Sequence, residues 1–377
     1  MRVANIIEEG KLGGPQVRIV MVAAALKELV ETTVVVPKEN SKLFQKRCQM
    51  LGVRFKVMPI TRITKEWRAA MRYVLFSFFE IVQLAFYFRK QGFNLIHVSG
   101  GSWQYKGIIA GKLAGIKILW HLNDTFMPFW IRWLFRIFSL LPDGFVYSSE
   151  CTRNYYESLI KSGGPKFVIP APVDVKEFNP EIEYTGDQEI IDQLRGKFVV
   201  GTVANVNSIK GLDVIIRCAS RLNKSSSPIH FVIVGPIYNN QRKYYESLLN
   251  LCKELNVSNV QFVGEREDVR HLMQRFDVYL CSSSTESSPI AVWEAMAMGK
   301  SIISTSVGDV PMYIQNGRNG FLVDVGDYEG CADHLETLMA DSQLRERFGK
   351  EARATATRCL DISHCAELHL KAYEQLL

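Results

Sequence analysis

The stretch STESSPIAVWEAMAMGKSIISTSVGDVP, residues 284–311, places a short helix directly before a strand. Ser288 is a suitable helix N-cap and Pro289 a suitable first helical residue, and Gly299 is a suitable C-terminal stop. The pattern therefore predicts a helix from about Pro289 to Met298. The β-branched run SIISTS that follows predicts a strand, so this stretch indicates one βαβ unit of a parallel sheet.

Glu294 is the one charged residue of that predicted helix. A helix that is apolar on all sides is buried, and a buried carboxylate is costly unless it is paired or hydrogen-bonded. Glu286 stands eight residues earlier, in the loop before the helix, whose free N–H groups form an anion site. Two carboxylates beside such donors suit a sugar nucleotide. An ion pair with an arginine, or a cap on another loop, is the structural alternative for Glu294.

The same alternation of strands and helices occurs in both halves of the chain, and in the first half the runs TTVVVP and KILWHL are among the predicted strands. We expect an α/β protein with two Rossmann-like, doubly wound parallel sheets that face a central cleft. The Pro-rich stretch IPAPVDVKEFNPE, residues 169–181, is the predicted linker. The predicted parts are an N-terminal acceptor domain (1–170), a C-terminal donor domain (171–360) and a last helix (361–377) that packs back on the first domain.

Composition is typical of a globular protein, with 377 residues, 47% of them hydrophobic and 22% charged. The eight cysteines are scattered, without a Cys-x-x-Cys pair, so a disulfide framework and a structural zinc are not expected. No secretory leader is recognised, and we expect a cytoplasmic protein. Residues 1–170 hold 24 Lys and Arg against 11 Asp and Glu, which favours an anionic partner for this half. No nucleic-acid-binding motif is present.

Residues 286–327, ESSPIAVWEAMAMGKSIISTSVGDVPMYIQNGRNGFLVDVGD, resemble the hallmark block of the retaining GT-B glycosyltransferases of family 4. Glu286 and Glu294 form its Glu-x7-Glu pair. NVNSIKGLDVII places Lys210 at the family's phosphate-binding lysine, and FVIVGP ends a strand at Gly235. VQFVGEREDVRHLM resembles the nucleobase loop, which includes Val263 and Arg266.

The first half resembles the family more patchily. EEGKLGGPQVRIV places Gly13 and Gly14 in the glycine-rich loop, and WHLND places His121 at the histidine near the donor sugar. Asn205 stands where the family usually has an arginine, and Arg18 is one residue further from the glycine pair than the common arginine. Ser282 replaces a usual proline, and the linker lacks the usual Asn-Gly.

The resemblance implies a role for each of these positions. His121, Lys210 and Glu286 are expected to act in catalysis, with Lys210 beside the leaving diphosphate, where negative charge develops. Asp124 is expected to bind the acceptor, or alternatively to cap the next helix. The structural alternatives are an ordinary exposed lysine for Lys210 and a core histidine for His121. The expected donor-binding set is Gly13, Gly14, Asn205, Lys210, Gly235, Val263, Arg266, Glu286, Ser287, Ser288, Pro289, Ile290 and Glu294.

The expected activity is transfer of a sugar from a nucleotide-diphosphate sugar, preferentially a UDP-sugar, to a glycan or lipid-linked acceptor in cell-envelope polysaccharide biosynthesis. No Asp-x-Asp pair is present, so neither a metal nor a cofactor is expected. No obvious base is present for the acceptor hydroxyl, and in this family the departing phosphate assists its deprotonation. The alternatives are an epimerase or phosphorylase of the same two-domain plan, and an inactive partner subunit of a glycosyltransferase.

Two stretches of the first half are basic and aromatic: residues 62–90 and residues 126–141. Helices at a lipid interface have this composition, whereas a charge-free run long enough to span a bilayer is absent. Ordinary packing on the first sheet is the alternative for both stretches. Together with the excess of Lys and Arg, they favour peripheral docking on an anionic inner leaflet.

Overall fold

A computed structural model of the chain describes residues 1–63, 66–223 and 229–377. It divides into two compact units. The first unit joins Met1–Pro172 to Ile362–Leu377, and the second is Val173–Asp361. The boundary at residue 172 lies inside the Pro-rich stretch from which the linker is predicted.

The first unit is built on a parallel sheet with the strand order β3-β2-β1-β4-β5-β6-β7 in the described residues. The order reverses between β1 and β4, which makes the carboxyl ends of these two strands a topological switch point. The strands are β1 (Arg2–Ile6), β2 (Glu31–Pro37), β3 (Arg54–Met58), β4 (Leu95–Val98), β5 (Lys117–Leu122), β6 (Gly144–Tyr147) and β7 (Lys166–Val168).

Helices cover both faces of this sheet, as a parallel sheet requires. Leu84, Phe88 and Ile131 belong to the core on one face. Val22 and Tyr373 belong to the core on the other, where the last helix of the chain packs against the first. The helices of this unit are α1 (Gly14–Ala25), α2 (Lys42–Met50), α3 (Trp67–Gln91), α4 (Lys106–Ala114), α5 (Phe129–Phe138), α6 (Glu150–Glu157) and α15 (Ile362–Leu376).

The second unit is also built on a parallel sheet, with the order β10-β9-β8-β11-β12-β13 in the described residues. Its order reverses between β8 and β11. The strands are β8 (Phe198–Val203), β9 (Ile229–Val234), β10 (Val260–Gly264), β11 (Val278–Cys281), β12 (Ser301–Thr305) and β13 (Phe321–Val323).

The helices of the second unit bury their apolar sides on both faces of its sheet. Ile215, Leu335 and Phe348 lie in its core. The helices are α7 (Gln188–Leu194), α8 (Leu212–Leu222), α9 (Arg242–Glu254), α10 (Arg270–Gln274), α11 (Ile290–Ala297), α12 (Val310–Tyr313), α13 (Tyr328–Ala340) and α14 (Ser342–Cys359), with 3₁₀ turns at Ser208–Lys210 and Asn239–Gln241.

Candidate functional site

Lys210 and Glu286 are brought together at the switch point of the second unit. Lys210 follows β8 and Glu286 follows β11, and these two strands are neighbours in the sheet. The ammonium group of Lys210 donates to Oε1 of Glu286 at 2.5 Å. The side chains are 24% and 15% exposed, respectively, so the pair is accessible to a ligand. Both residues are expected from the sequence to act on the donor. In the structure they form an ion pair with each other.

The loops that carry this pair are fastened to each other by short polar contacts. Gly211 has φ +59°, a left-handed conformation, and a Cβ there would overlap the carbonyl oxygen of Ser282. The Ser282 hydroxyl donates to the carbonyl of Lys210 at 2.9 Å. The amide of Ser284 donates to the carbonyl of Ile209 at 2.7 Å. Ser282, in place of the family's usual proline, therefore helps to position Lys210.

Among the described residues, hydrogen bonds reach only one oxygen of the Glu286 carboxylate. Oε1 accepts both from Lys210 and from the Ser283 hydroxyl, the latter at 2.7 Å. Ser283 is itself fixed, because its carbonyl accepts from the Thr305 hydroxyl at 2.7 Å. No described residue donates to Oε2 of Glu286. That oxygen is available to a hydroxyl donor.

The helix after Glu286 begins later than predicted. Helix α11 starts at Ile290, and Pro289 is its N-cap residue, so the expected N-cap at Ser288 and first turn at Pro289 are corrected by one residue. The Ser288 hydroxyl accepts from the indole N–H of Trp293 at 3.1 Å. The carbonyl of Ser287 accepts from the amide of Asp309 at 2.8 Å.

Glu294 is half-buried rather than fully buried, which corrects the expectation of a carboxylate enclosed by an apolar helix. The neighbours Val292, Trp293, Ala295 and Met296 are all buried and fill the inner sides of α11. Glu294 lies on the remaining side. The free-energy cost of keeping this charge is therefore lower than that of a fully buried carboxylate.

Asn205 and Gly235 lie at the carboxyl ends of β8 and β9. The side-chain oxygen Oδ1 of Asn205 accepts from the side-chain amide of Asn207 at 3.0 Å. Asn207 also accepts from the amides of Ile209 and Lys210, so it shapes the turn that carries the lysine. Gly235 has φ +151°, and a Cβ there would overlap the carbonyl oxygen of Ala204. The backbones of the loops after β8 and β9 are therefore too close together for a side chain at Gly235.

Arg266 is held in place by a partner that sequence analysis missed. Its guanidinium group donates to Asp187 Oδ2 at 2.6 Å and to the carbonyl of Val263 at 2.9 Å. Asp187 has φ +40° and also contacts Nε2 of His271 at 2.8 Å. The sequence offered a weak indication of this role in the pair Gly186–Asp187, since glycine before aspartate is typical of a turn.

Gly13 and Gly14 lie at the start of α1 in the first unit and are exposed. The carbonyl of Gly13 accepts from the amide of Val17 at 3.0 Å. Gly13 has φ −157°, a conformation open to any residue, and a Cβ would meet Gln16 Oε1 at an ordinary 3.4 Å. Local packing therefore does not require glycine at this position.

His121 is fully buried in the first unit. Nε2 of His121 contacts the Arg18 guanidinium, and Nδ1 lies 3.3 Å from Nε2 of His97. Both ring nitrogens are thus occupied. Burial lowers the pKa of His121 well below its usual value, and the nearby Arg18 cation adds to this shift. The position matches the core-histidine alternative.

Arg18, His97, His369 and Tyr373 surround His121 and were not singled out as a group from the sequence. His97 contacts the Tyr373 hydroxyl at 2.8 Å, and His369 stacks with His121 at 5.8 Å between ring centroids. Burial lowers the pKa of Arg18 to about 9 and that of His369 to about 3. The sequence indication was a histidine inside each of the apolar strands LIHV and KILWHL.

Asp124 is engaged inside the first unit, where it fixes the loop after β4 rather than the start of a helix. Its carboxylate accepts from the Ser102 amide at 3.2 Å, from the Ser102 hydroxyl at 3.0 Å, and from the Tyr156 hydroxyl. Burial raises its pKa, although these hydrogen bonds oppose the shift. Asn123 differs from it, because its buried Oδ1 has no hydrogen-bond partner in the described part of the chain.

Within residues 1–63, 66–223 and 229–377, no group of three or more His, Cys, Asp or Glu side chains is placed to hold a metal ion. The charges at the switch point of the second unit come instead from Lys210, Glu286 and the start of α11.

Two family models match the chain: glycosyl transferases group 1 over residues 186–355, and glycosyltransferase family 4 over residues 12–177. The chain belongs to the group 1 glycosyltransferases. The predicted membership of a GT-B glycosyltransferase family is therefore confirmed, while retention of configuration stays a prediction.

Relatives of this chain include N-acetyl-alpha-D-glucosaminyl L-malate synthase of Bacillus anthracis. It is 38% identical over 153 residues, which are 40% of this chain and 38% of the relative. A Campylobacter jejuni relative, N,N'-diacetylbacillosaminyl-diphospho-undecaprenol alpha-1,3-N-acetylgalactosaminyltransferase, is 22% identical over 86% of this chain and 91% of its own. For three other curated matches the aligned part spans 33% to 57% of the relative's length.

A crystal structure of Anabaena HepE in complex with UDP-glucose is similar along the whole length of this chain. The TM-score is 0.84, and the match covers 100% of both chains at 18% sequence identity. At this identity the likeness shows the fold. The predicted GT-B class, with two Rossmann-like parallel-sheet units, is confirmed.

Proposed function

We infer that this protein transfers a sugar, with retention of configuration, from a nucleotide-diphosphate sugar to a glycan or lipid-linked acceptor in cell-envelope polysaccharide or glycoconjugate biosynthesis. The Lys210–Glu286 contact at the switch point of the second unit carries this proposal. A UDP-sugar is the proposed donor, in keeping with the UDP-glucose bound to HepE. The C. jejuni relative, named for a diphospho-undecaprenol acceptor, supports a lipid-linked acceptor.

The chemistry of the pair follows from its charges. Without donor, the Lys210 ammonium and the Glu286 carboxylate neutralise each other. Hydroxyl groups of the donor sugar bind Oε2 of Glu286, and the diphosphate attracts the Lys210 cation. When the bond from sugar to phosphate breaks, negative charge grows on the leaving diphosphate. Lys210 then stabilises the transition state more than the bound donor, which lowers the barrier.

Helix α11 adds a second source of positive potential to the second unit. Backbone groups of Ser287, Ser288, Pro289 and Ile290 form the approach to its N-terminus, where the positive end of the helix dipole favours an anion. Glu294, half-buried on the same helix, accepts hydrogen bonds from the ribose. Together with Lys210, this arrangement replaces the charge of a metal ion. We expect full activity in the presence of a chelator, and loss that magnesium restores would contradict this.

Nucleobase recognition in the second unit is assigned to backbone near Val263. Arg266 already donates to the Val263 carbonyl and is itself fixed by Asp187. Arg266 therefore sets the shape of the base loop. Gly235 and Asn205 lie at the carboxyl ends of β9 and β8, where backbone groups are proposed to contact the donor.

The acceptor is assigned to the first unit. The exposed Gly13–Gly14 turn lets backbone approach it, and Asp124 holds the adjoining loop through Ser102. The excess of Lys and Arg in residues 1–170 supports a cytoplasmic protein in peripheral contact with an anionic membrane, where a lipid-linked acceptor would be presented.

The test is a ligand screen followed by turnover. A ligand that binds the folded state raises the melting temperature, so UDP, GDP, ADP and their sugars are compared by thermal shift. The selected donor is then incubated with and without polyprenyl-diphosphate sugars and glycans. Nucleoside diphosphate released with transfer of the sugar supports the proposal. Isomerised donor without acceptor would indicate an epimerase, and binding without turnover on any acceptor would indicate an inactive subunit.

A further inference from the structure

The outer side of α3 in the first unit carries a continuous apolar stripe. Its side chains follow one another at intervals of three or four residues, so they share one side of the helix. They are between 48% and 73% exposed: Trp67, Met71, Val74, Phe78, Val82 and Phe86. An exposed apolar stripe of this length is unusual for a protein surface that contacts only water.

Helix α5 and its flanking residues present a second apolar patch. Six large side chains are between 44% and 87% exposed: Phe126, Phe129, Trp130, Trp133, Ile137 and Leu140. The inner sides of α3 and α5, through Phe88 and Phe135, belong to the same core cluster. Both helices therefore cover the same face of the sheet, and their outer sides together form what we call the docking face.

Charge on the docking face is basic. Arg68 and Lys90 stand near the ends of α3, and Arg132 and Arg136 alternate with the aromatic side chains of α5; all four are exposed. Between Arg72 and Arg89 the single charged residue of α3 is Glu80, which is buried. The outer side of α3 thus offers apolar side chains between cationic ends. This pattern matches a helix that lies in an anionic lipid surface.

Helix α3 is long and apolar enough to cross a membrane by length and composition. Its inner side argues for an in-plane position instead. Glu80 accepts from the ammonium group of Lys106, which is fully buried and also donates to the carbonyl and hydroxyl of Thr61 at 2.6 and 2.7 Å. Withdrawal of α3 from the unit would leave the Lys106 cation buried without its carboxylate, which is strongly unfavourable.

We propose that the docking face binds an anionic lipid bilayer, with α3 and α5 lying in the plane of the interface. A second copy of the chain is the less suitable occupant, because a two-fold contact would place the same arginines opposite each other. The inference deepens the proposed function, since it names the surface on which a lipid-linked acceptor is met.

The buried network links this surface to the acceptor side of the unit. The backbone amide of Lys106 donates to Glu8 Oε1 at 2.9 Å. Glu8 follows β1 and precedes the loop of Gly13 and Gly14. Burial raises the pKa of Glu8 to about 7, and the nearby Lys106 opposes part of that shift. Helix α3, which would contact the bilayer, is therefore connected through Glu80, Lys106 and Glu8 to the segment that leads to Gly13 and Gly14.

The first experiment measures vesicle binding by the full chain without donor or acceptor. We expect sedimentation with phosphatidylglycerol vesicles at low salt, little with phosphatidylcholine, and release at high salt. The Val74→Ser/Phe78→Ser variant should bind at least tenfold more weakly. The matched control, Leu29→Ser/Met50→Ser, changes residues that are 63% and 65% exposed elsewhere on the same unit and should bind like the wild type.

Charge and orientation are tested separately. Removing Arg132 or Arg136 should weaken binding about fivefold each, from the contribution of one cation near an anionic surface. Binding should blue-shift tryptophan emission, and Trp67→Phe/Trp130→Phe/Trp133→Phe should remove most of that shift, because Trp120 and Trp293 are buried.

Three results would overturn the proposal. The first is vesicle binding by the Val74→Ser/Phe78→Ser variant that equals binding by the wild type. The second is wild-type protein that stays on vesicles after an alkaline carbonate wash, which indicates a spanning helix. The third is a dimer that forms without lipid and that dissociates in this variant but not in the control variant. Failure of the proposed function is distinguishable from these results. A chain that binds vesicles yet transfers no sugar would contradict the activity and leave the docking face intact.

Discussion

Replacement of Lys210 by methionine removes the cation opposite Glu286 and keeps most of the side-chain volume. In the unliganded second unit the change breaks a 2.5 Å contact between two partly exposed side chains. Such pairs contribute about 1 kcal/mol or less to stability. For a unit of this size, that corresponds to a decrease in melting temperature of about 2–4 °C.

The expected effect on catalysis is much larger than the effect on folding. Lys210 is placed to stabilise charge that develops only as the diphosphate leaves. Loss of one such stabilising group typically lowers kcat by about 10²–10³-fold, or about 3–4 kcal/mol of transition-state stabilisation. We therefore expect Lys210→Met to lose turnover by this factor at saturating donor while it remains folded.

The assay is initial-rate transfer of labelled sugar at saturating donor, with melting temperature measured on the same samples. Lys350→Met is the matched control, because Lys350 forms a more exposed ion pair with Glu346, at 74% and 66% exposure, on a helix of the same unit. It should keep wild-type kcat. A Lys210→Met enzyme with kcat within about threefold of the wild type would refute the assigned role.

Three further predictions concern the supporting residues. Gly211→Ala should lower activity more than tenfold and reduce stability by about 1–2 kcal/mol in denaturant unfolding, because it strains a left-handed residue against Ser282; wild-type values would contradict the loop argument. His121→Gln should lower the melting temperature, because both ring nitrogens of His121 contact buried partners; an unchanged melting temperature with a lower kcat/KM would instead support the expected contact of His121 with the donor. Glu8, whose pKa rises from 4.5 to about 7 on folding, contributes stability that is lost as pH increases from about 4.5 to about 7. Relative to Glu8→Gln, the wild type should lose about 3 kcal/mol across that window, and parallel curves would be inconsistent with the assignment.

Long, regular elements of the fold were predictable from the sequence. The run TTVVVP predicted most of Glu31–Pro37, and KILWHL predicted all of Lys117–Leu122. The strand Lys166–Val168 was missed, since three residues between Pro165 and Ile169 give too short a periodic pattern. The helix start at Ile290 was misplaced by one residue, because capping residues locate a helix end only to within one or two residues.

The candidate site was predictable as a set of positions but not as a set of contacts. Lys210 and Glu286 are separated by 76 residues, and only the sheet order brings the loops that carry them together. The side of the sheet on which a strand residue lies could not be predicted from the sequence either. His121 lies on the side of β5 covered by α15, whose Tyr373 is far away in the sequence.

The order of synthesis has a consequence for the first unit, which is assembled from both ends of the chain. Leu95, Leu119 and Val146 lie in a core that Tyr373 and Leu376 complete. During translation the second unit emerges whole, while these strand residues still lack their cover. The strands of the amino-terminal half therefore stay incompletely covered until Ile362–Leu376 has been made, and loss of that helix would expose the part of the chain that was made first.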